Sequence, residues 1–439
     1  DSITGGGLTN AGSITDLGAL TLSSETVTNS GAVTVGDGSA ADTLTLTGTT
    51  VTGAGTITVD HAATLSTTGT DSITGGGLTN AGSITDLGNV TLSNEYVTNS
   101  GSITVTGGHT LNLAGNDTIS GGTINNVGLI EATSGSNTIS GATITNPSTI
   151  EANGGTLTID PSSVTNTGVL AATNSGVLVL SQTTVVNSVG GQIEIASGAT
   201  LTVANSTVTG AGSITVGGAA VLTGTDAFTG VDSAHKGSLT NTGTITDGGS
   251  VSFTDETVTQ SSGGAVTVAS GDTLSLTDAT FTGGSLTVAA GATLDLNNAT
   301  ISGVVLSDSG ATINVTGDSK IDGVNKIISG NITVDTGQTL VVDNSLLIAT
   351  VTNLGTGVSA GTEKVDSSTN SDFAGGGSIT GGNLINLGTI SIIDPFAAVS
   401  TFTLDDVQFT NTGAVTIGDG THADTLTLTG TTVTGAGSI

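Results

Sequence analysis

The sequence predicts an all-β chain wound as a right-handed parallel β-helix (a β-solenoid), with three short strands per coil of about 22 residues. Three observations predict it. The chain copies itself at long range, a shorter unit recurs at the length of one solenoid coil, and Val, Ile and Leu alternate with Thr and Ser in short runs.

The long-range copies come first. Residues 1–18, DSITGGGLTNAGSITDLG, recur letter for letter at residues 71–88. Residues 413–439 repeat residues 31–57 with few changes. The shorter unit is an apolar residue, then Thr, then Asn or Gly, then a Gly soon after, as in Val27-Thr-Asn-Ser-Gly31, Val51-Thr-Gly-Ala-Gly55 and Val164-Thr-Asn-Thr-Gly168. From Leu8 to Ile301 such anchors return every 22 residues or so, a step of about one solenoid coil.

Each unit also holds two period-two stretches, such as Ile103-Thr-Val105 followed by Leu111-Asn-Leu113. That alternation marks a strand with one buried face. Gly, Asn and Asp between the runs suit corners, because they accept left-handed backbone conformations. One such unit cannot bury its own apolar face, whereas stacked copies place Val on Val and give every strand partners above and below. About 20 coils are expected, with essentially no helix.

Composition agrees. The chain has 439 residues, 70 Gly, no Cys, Met or Trp, and 2% aromatics, which rules out a core built on large aromatic side chains. A hydrophobic fraction of 35%, mostly β-branched residues and Leu, argues against disorder. An array of β-sandwich domains would need longer, unevenly spaced strands. A calcium-bound nonapeptide solenoid would need a tandem signature that is missing here.

The formal charge of -31 arises from 35 acidic residues against four Lys (Lys236, Lys320, Lys326, Lys364) and no Arg. Such a chain has nothing with which to neutralise phosphates, so no nucleic-acid partner is expected. Anionic membrane surfaces are disfavoured for the same reason, and no apolar run is long enough for direct membrane insertion as a helix. Absence of Cys fits an exported bacterial protein better than a disulfide-stapled domain.

Regular coils are expected over residues 1–323, less regular coils or a junction over 324–372, and resumed coils over 373–439. Insertions carrying Phe228, His235 and Lys236, and later Pro395, Phe396 and Phe402, are expected to loop out at corners. Since both termini fall inside repeats, the chain reads as a window cut from a longer array.

The V-T-N-x-G units followed by alternating runs, as in Leu239-Thr-Asn-Thr-Gly-Thr-Ile245, make the chain resemble the repetitive β-helix proteins of bacterial surfaces. These are the filamentous-haemagglutinin-like adhesins, autotransporter passengers and biofilm matrix proteins, and the resemblance covers nearly the whole chain. It implies an extracellular or cell-surface location and a non-enzymatic structural or adhesive rod. Expected partners are further copies, joined end to end or laterally, and surface glycans or matrix polymers.

Few residues offer chemistry. The alternative function is a glycan-binding or glycan-degrading β-helix enzyme, which needs paired carboxylates, or carboxylates with Arg or Lys. Arg is absent and most Asp residues, such as Asp272 and Asp308, fall in turns beside Gly, so no catalytic residue is assigned. His61, His109, His235 and His422 are isolated in small-residue turns. The loops at residues 36–42 and 418–424 each offer two carboxylates, Asp37 with Asp42 and Asp419 with Asp424, as candidate Ca²⁺ ligands. No other cofactor is expected. Thr43-Leu-Thr45-Leu-Thr47 is similar to the Thr pairs of ice-binding solenoids. Strands such as Leu111-Asn-Leu113, Leu178-Val-Leu180 and Leu294-Asp-Leu296 are expected to occupy the same position in other coils, so no continuous Thr ladder is expected.

Overall fold

A computed structural model describes residues 1–308, 310–323, 327–328, 330–347, 349–354, 360–365, 370–373, 377–393, 401–418 and 423–439. The chain is a parallel β-solenoid of about 19 turns with about 21 residues per coil. Among the described residues there is no helix. The chain divides into two compact units, Asp1–Val221 and Leu222–Ile439.

In unit 1 strands pair three places apart, or two places apart around the long strand Leu129–Ser140, which runs over two faces, so the strands stack as three faces. The first face runs through Thr43–Thr47, Thr64–Thr68, Ser83–Asp86, Ser102–Val105, Thr123–Asn126, Thr143–Asn146, Ser163–Asn166, Thr184–Asn187 and Thr207–Thr209, all parallel. Alternation sets what points inward. Leu44, Leu65, Ile84, Ile103, Ile124 and Ile144 are in register and buried, like on like at the inter-strand spacing of about 4.8 Å. Thr and Ser between them face outward.

The exact repeat does not return to the same face. In residues 1–18 the strands Ser2–Thr4, Gly7–Asn10 and Ser13–Asp16 lie on the first, second and third faces. In residues 71–88 the equivalent strands Thr70–Thr74, Gly77–Asn80 and Ser83–Asp86 lie on the second, third and first. The copies are ten strands apart, three coils and one strand more, so one 18-residue sequence folds alike on successive faces. Only the inward or outward sense of each residue is encoded locally, which is why the rotation is tolerated.

Unit 2 keeps the same stacking. Val258, Phe281, Ile301, Ile321 and Val342 form one buried file. Two expected corner residues are core residues instead. Phe228 is 3% exposed and stacks on Phe253 with ring centroids 5.2 Å apart, and Phe402 is fully buried against Phe373 at 4.8 Å. Both occupy inward positions of strands, where alternation outranks the local irregularity of the sequence. Residues 231–236 do loop out, with Val231 63% exposed. Pro395 and Phe396, and parts of the expected junction at 324–372, lie outside the described residues. The described parts of that stretch carry parallel strands, among them Asn331–Val334, Thr339–Asp343 and Thr350–Asn353.

Candidate functional site

The interior of unit 1 is not purely aliphatic. Asn126, Asn146, Asn166 and Asn187 are buried in register on the first face, two residues after Ile124, Ile144, Val164 and Val185. Each Nδ2 donates to the next Oδ1, at 2.8, 2.8 and 2.9 Å. The same nitrogens donate to the backbone carbonyls of Thr149, Val169 and Gln192 at 2.7 to 3.0 Å. Asn187 ends the ladder and donates to the Ser213 carbonyl at 3.2 Å. Shorter ladders join Asn10 to Asn29, Asn80 to Asn99, Asn241 to Gln260 and Asn386 to Asn411. They lock coil to coil and fix the register of the outward side chains, since a buried amide without partners costs about 1–3 kcal/mol.

Outside, the first face of unit 1 carries one continuous file of hydroxyl side chains and a second, beside it, that Asn125 and the exposed Val186 interrupt. Thr43, Thr64, Ser83, Ser102, Thr123, Thr143, Ser163, Thr184 and Thr207 form one file. Beside it run Thr45, Ser66, Thr85, Thr104, Asn125, Thr145, Thr165, Val186 and Thr209. Neither file holds a charged residue, in a chain of net charge -31. Neighbours along the first file are within reach of one another, as where Ser102 Oγ donates to Ser83 Oγ at 3.4 Å. A continuous Ser/Thr file is thus present, although a ladder of paired Thr is not, since Asn125 and Val186 break the second file; what is corrected is the expected placement of two Leu strands. Leu111-Asn-Leu113 stacks on Val90-Thr-Leu92, on the second face, and Leu178-Val-Leu180 on Leu157-Thr-Ile159, on the third. Neither strand shares a face with Thr43–Thr47, so neither interrupts its files.

The second face of unit 1 differs in charge. Glu131 and Glu151 are partners on adjacent strands. Glu131 accepts from Asn153 Nδ2 at 3.1 Å and Glu151 from Thr173 Oγ1 at 3.3 Å. Burial raises the Glu151 pKa, the Thr173 hydrogen bond lowers it, and the Glu131 charge raises it further. In unit 2 a shallow cleft of about 340 Å³ is lined by Asn298, Thr300, Asp318, Lys320, Val341 and Lys364. Lys320 there is engaged by Asp343 at 2.7 Å and Asp322 at 3.4 Å, which raises its pKa.

The proposed calcium ligands are placed as follows. Asp37 is exposed, and its Oδ1 accepts from the Ser39 N–H at 2.9 Å and Oγ at 2.5 Å, bonds that lower its pKa. Asp42 is buried, and its carbonyl accepts from Thr64 N–H at 2.9 Å. Asp424 is half-buried, while Asp419 and His422 lie outside the described residues. Among the described residues, no three His, Cys, Asp or Glu side chains converge as a metal centre.

No protein-family model matches the chain, and no curated protein matches it. Among solved structures, it is similar to a TibC-catalysed hyper-glycosylated TibA fragment, at 15% identity and a TM-score of 0.19, over 72% of this chain and 93% of that one. A likeness of that size carries nothing about function.

A last set of polar groups lies inside the coils, unforeseen from sequence. Asp71, Asp86, Glu95 and Asp117 are each at most 2% exposed. One oxygen of each accepts hydrogen bonds, from Thr49 N–H at 2.7 Å for Asp71, from Gly88 N–H and Thr67 Oγ1 at 3.0 Å for Asp86, from Gly76 N–H at 2.9 Å for Glu95, and from Glu95 N–H at 2.7 Å for Asp117. Among the described residues, Oδ2 of Asp71, Asp86 and Asp117 has no hydrogen-bond partner. Burial, which disfavours the charged form, is the main cause raising all four pKa values. A signal for them exists in the sequence. Asp86 follows Ile84 by two residues, so period-two alternation places it inward, as it does the ladder Asn residues.

Proposed function

We propose that the chain is a structural or adhesive segment of an exported bacterial surface or matrix protein, and that it works without catalysis. One observation carries the reading. The uncharged, hydroxyl-rich face of unit 1 keeps two files in register through nine successive coils, one of them Ser or Thr throughout, and an interior Asn ladder joins four of the coils beneath it. A flat surface of repeating hydroxyls suits neutral, regularly spaced partners, such as polysaccharide chains of a matrix or the same face of another copy. Lateral association and glycan contact both follow from this reading.

The test is binding of the purified chain to neutral and acidic polysaccharides, with microscopy for self-association. Replacing outward Thr143, Thr145, Ser163 and Thr165 with Lys should abolish retention on neutral polymers while the fold persists. Retention unchanged by those four replacements would remove the face from the reading. Turnover of any polysaccharide, lost in Glu131→Gln or Glu151→Gln, would instead favour an enzyme.

A second reading rests on the same two files. Their repeat, about 4.8 Å between strands and about 6.7 Å along them, is a surface on which water can order. Inhibition of ice recrystallisation by the wild type, lost in the same Lys variants, would support an ice-contacting role, and no inhibition would end it.

A further inference from the structure

Interior carboxyl groups take no part in the surface reading above, and in unit 2 two of them sit on consecutive strands. Glu256 begins the strand Glu256–Gln260, which pairs with Gly237–Asn241 on one side and Thr280–Thr282 on the other. The side chain is 3% exposed. Its Oε1 lies against Gly237, where a Cβ would come within 2.0 Å, and its Oε2 has no hydrogen-bond partner among the described residues. Unit 1 repeats the contact, with Glu95 accepting from Gly76 N–H at 2.9 Å and Glu25 beneath Gly6. On the strand before Glu256, Asp247 is 1% exposed, accepts from Gly249 N–H at 3.0 Å through Oδ1, and leaves Oδ2 without a partner.

Around these two carboxyls, taken separately, the ionisable groups are almost all acidic. Asp255 precedes Glu256, while Asp226 and Asp272 act on Asp247. Asp278 lies just before the strand Thr280–Thr282. The one nearby lysine, Lys236, directs its Nζ to the Asp278 carbonyl at 2.5 Å. His235 pairs with Asp232 at 3.0 Å in the exposed loop.

We propose that this part of unit 2 is a proton-dependent latch. With Glu256 neutral, Gly237–Asn241 stays packed on Glu256–Gln260, and with Asp247 neutral its own strand, Thr244–Thr254, stays packed on Ala265–Val268. Loss of a proton from either puts a buried charge where no ion pair meets it among the described residues, and these strand pairs open together with the loop at 231–236.

Burial pushes Asp247 up to about 7, with added repulsion from Asp272 and Asp226, and Glu256 up to about 8, with Asp255 adding to it. Both values lie above the ordinary 3.8 and 4.5. A folded pKa above the unfolded one means the folded state binds more protons over that window. The latch is therefore fully closed below the unfolded values and weakens as pH rises through about 7 to 8. Solvent of mildly alkaline pH is the signal, and acid keeps the latch shut.

Hydrogen exchange resolved by peptide tests it on the full chain, from about pH 6 to about pH 9 and corrected for intrinsic exchange. In the wild type, protection of residues 237–260 should fall by about tenfold or more over that range. In the coils of Asn146, Asn166 and Asn187, where amides take the place of carboxyls, it should stay level. Glu256→Gln and Asp247→Asn, separately and together, should each flatten the pH response of residues 237–260. Level protection of residues 237–260 in the wild type overturns the proposal. So does a fall of equal size in the Asn-ladder coils, which would be general charge repulsion, or a fall that persists in the double variant.

Discussion

The amide of Asn187 ends its ladder against Gly212, where a Cβ would lie 2.4 Å from Nδ2. The glycine of Val-Thr-Gly-Ala-Gly is thus the receptor for the asparagine of the coil before it, and Gly55 stands in the same relation to Asn29. Gly212→Ala should cost about 1–3 kcal/mol through overpacking. Adding Asn187→Ala should return only the side-chain part of that cost, since the same Cβ would still lie 2.6 Å from the Gly191 carbonyl oxygen. A double variant whose loss equals the sum of the two single losses would contradict the pairing.

Within the ladder, single replacements and concerted ones should differ in kind. Asn146→Val strands the Asn126 amide on one side and the Asn166 oxygen on the other, and should cost about 2–3 kcal/mol. Changing Asn126, Asn146, Asn166 and Asn187 to Val together removes the side-chain donors and acceptors alike, and leaves only the carbonyls of Thr149, Val169, Gln192 and Ser213 each short of one donor. The cost per residue should then fall below about 1 kcal/mol. Val105 already occupies the rung beside Asn126, so the site accepts an aliphatic side chain. Equal per-residue losses in chemical denaturation would show that the ladder bonds are not coupled.

In unit 2 the fully buried Phe281 sits between Val258 and Ile301. Phe281→Ala should cost about 3–5 kcal/mol, and Phe281→Leu about a third of that. Thermal unfolding of the two variants checks the ranking.

On the outer surface of unit 1, Glu131 and Glu151 face each other across adjacent strands. Glu151→Gln relieves like-charge repulsion and should stabilise by about 0.2–1 kcal/mol at neutral pH and low salt. The gain should shrink on adding salt. An unchanged midpoint at low salt would mean that the Asn153 and Thr173 hydrogen bonds already neutralise the repulsion.

The loop at residues 36–42, with Asp37 and Asp42, is proposed to bind Ca²⁺ weakly, in the class of roughly 10⁻⁴–10⁻³ M. Residues 418–424, with Asp419 and Asp424, are proposed to do the same. Calorimetric titration should register binding that Asp37→Asn and Asp419→Asn together remove. Heat indistinguishable from dilution up to about 10 mM would close the question.

Much of the fold is legible in the residues alone. Alternation in Thr43-Leu-Thr45-Leu-Thr47 sets Leu44 and Leu46 inward, and both are buried. Recurrence of V-T-N-x-G sets the coil length to within a residue or so of the observed 21. Asn126 and Asp86 escape such a reading where their polarity is weighed above their parity in the strand. Composition favours corners for both residue types, but a strand side chain points where its position sends it.

The sequence by itself determined that this chain is all-β, that it coils, and which side chain of each strand turns inward, because period-two patterning is local and survives without knowledge of neighbours. Only the tertiary structure decided which strands are neighbours. Coil lengths vary, and a repeat of ten strands advances by one face, so Thr43 meets Thr64 and Asn146 meets Asn166 only once the winding is summed over every corner. The hydroxyl face, the asparagine ladders and the buried Glu256 all depend on that sum, since each is a property of stacked coils and of no single coil.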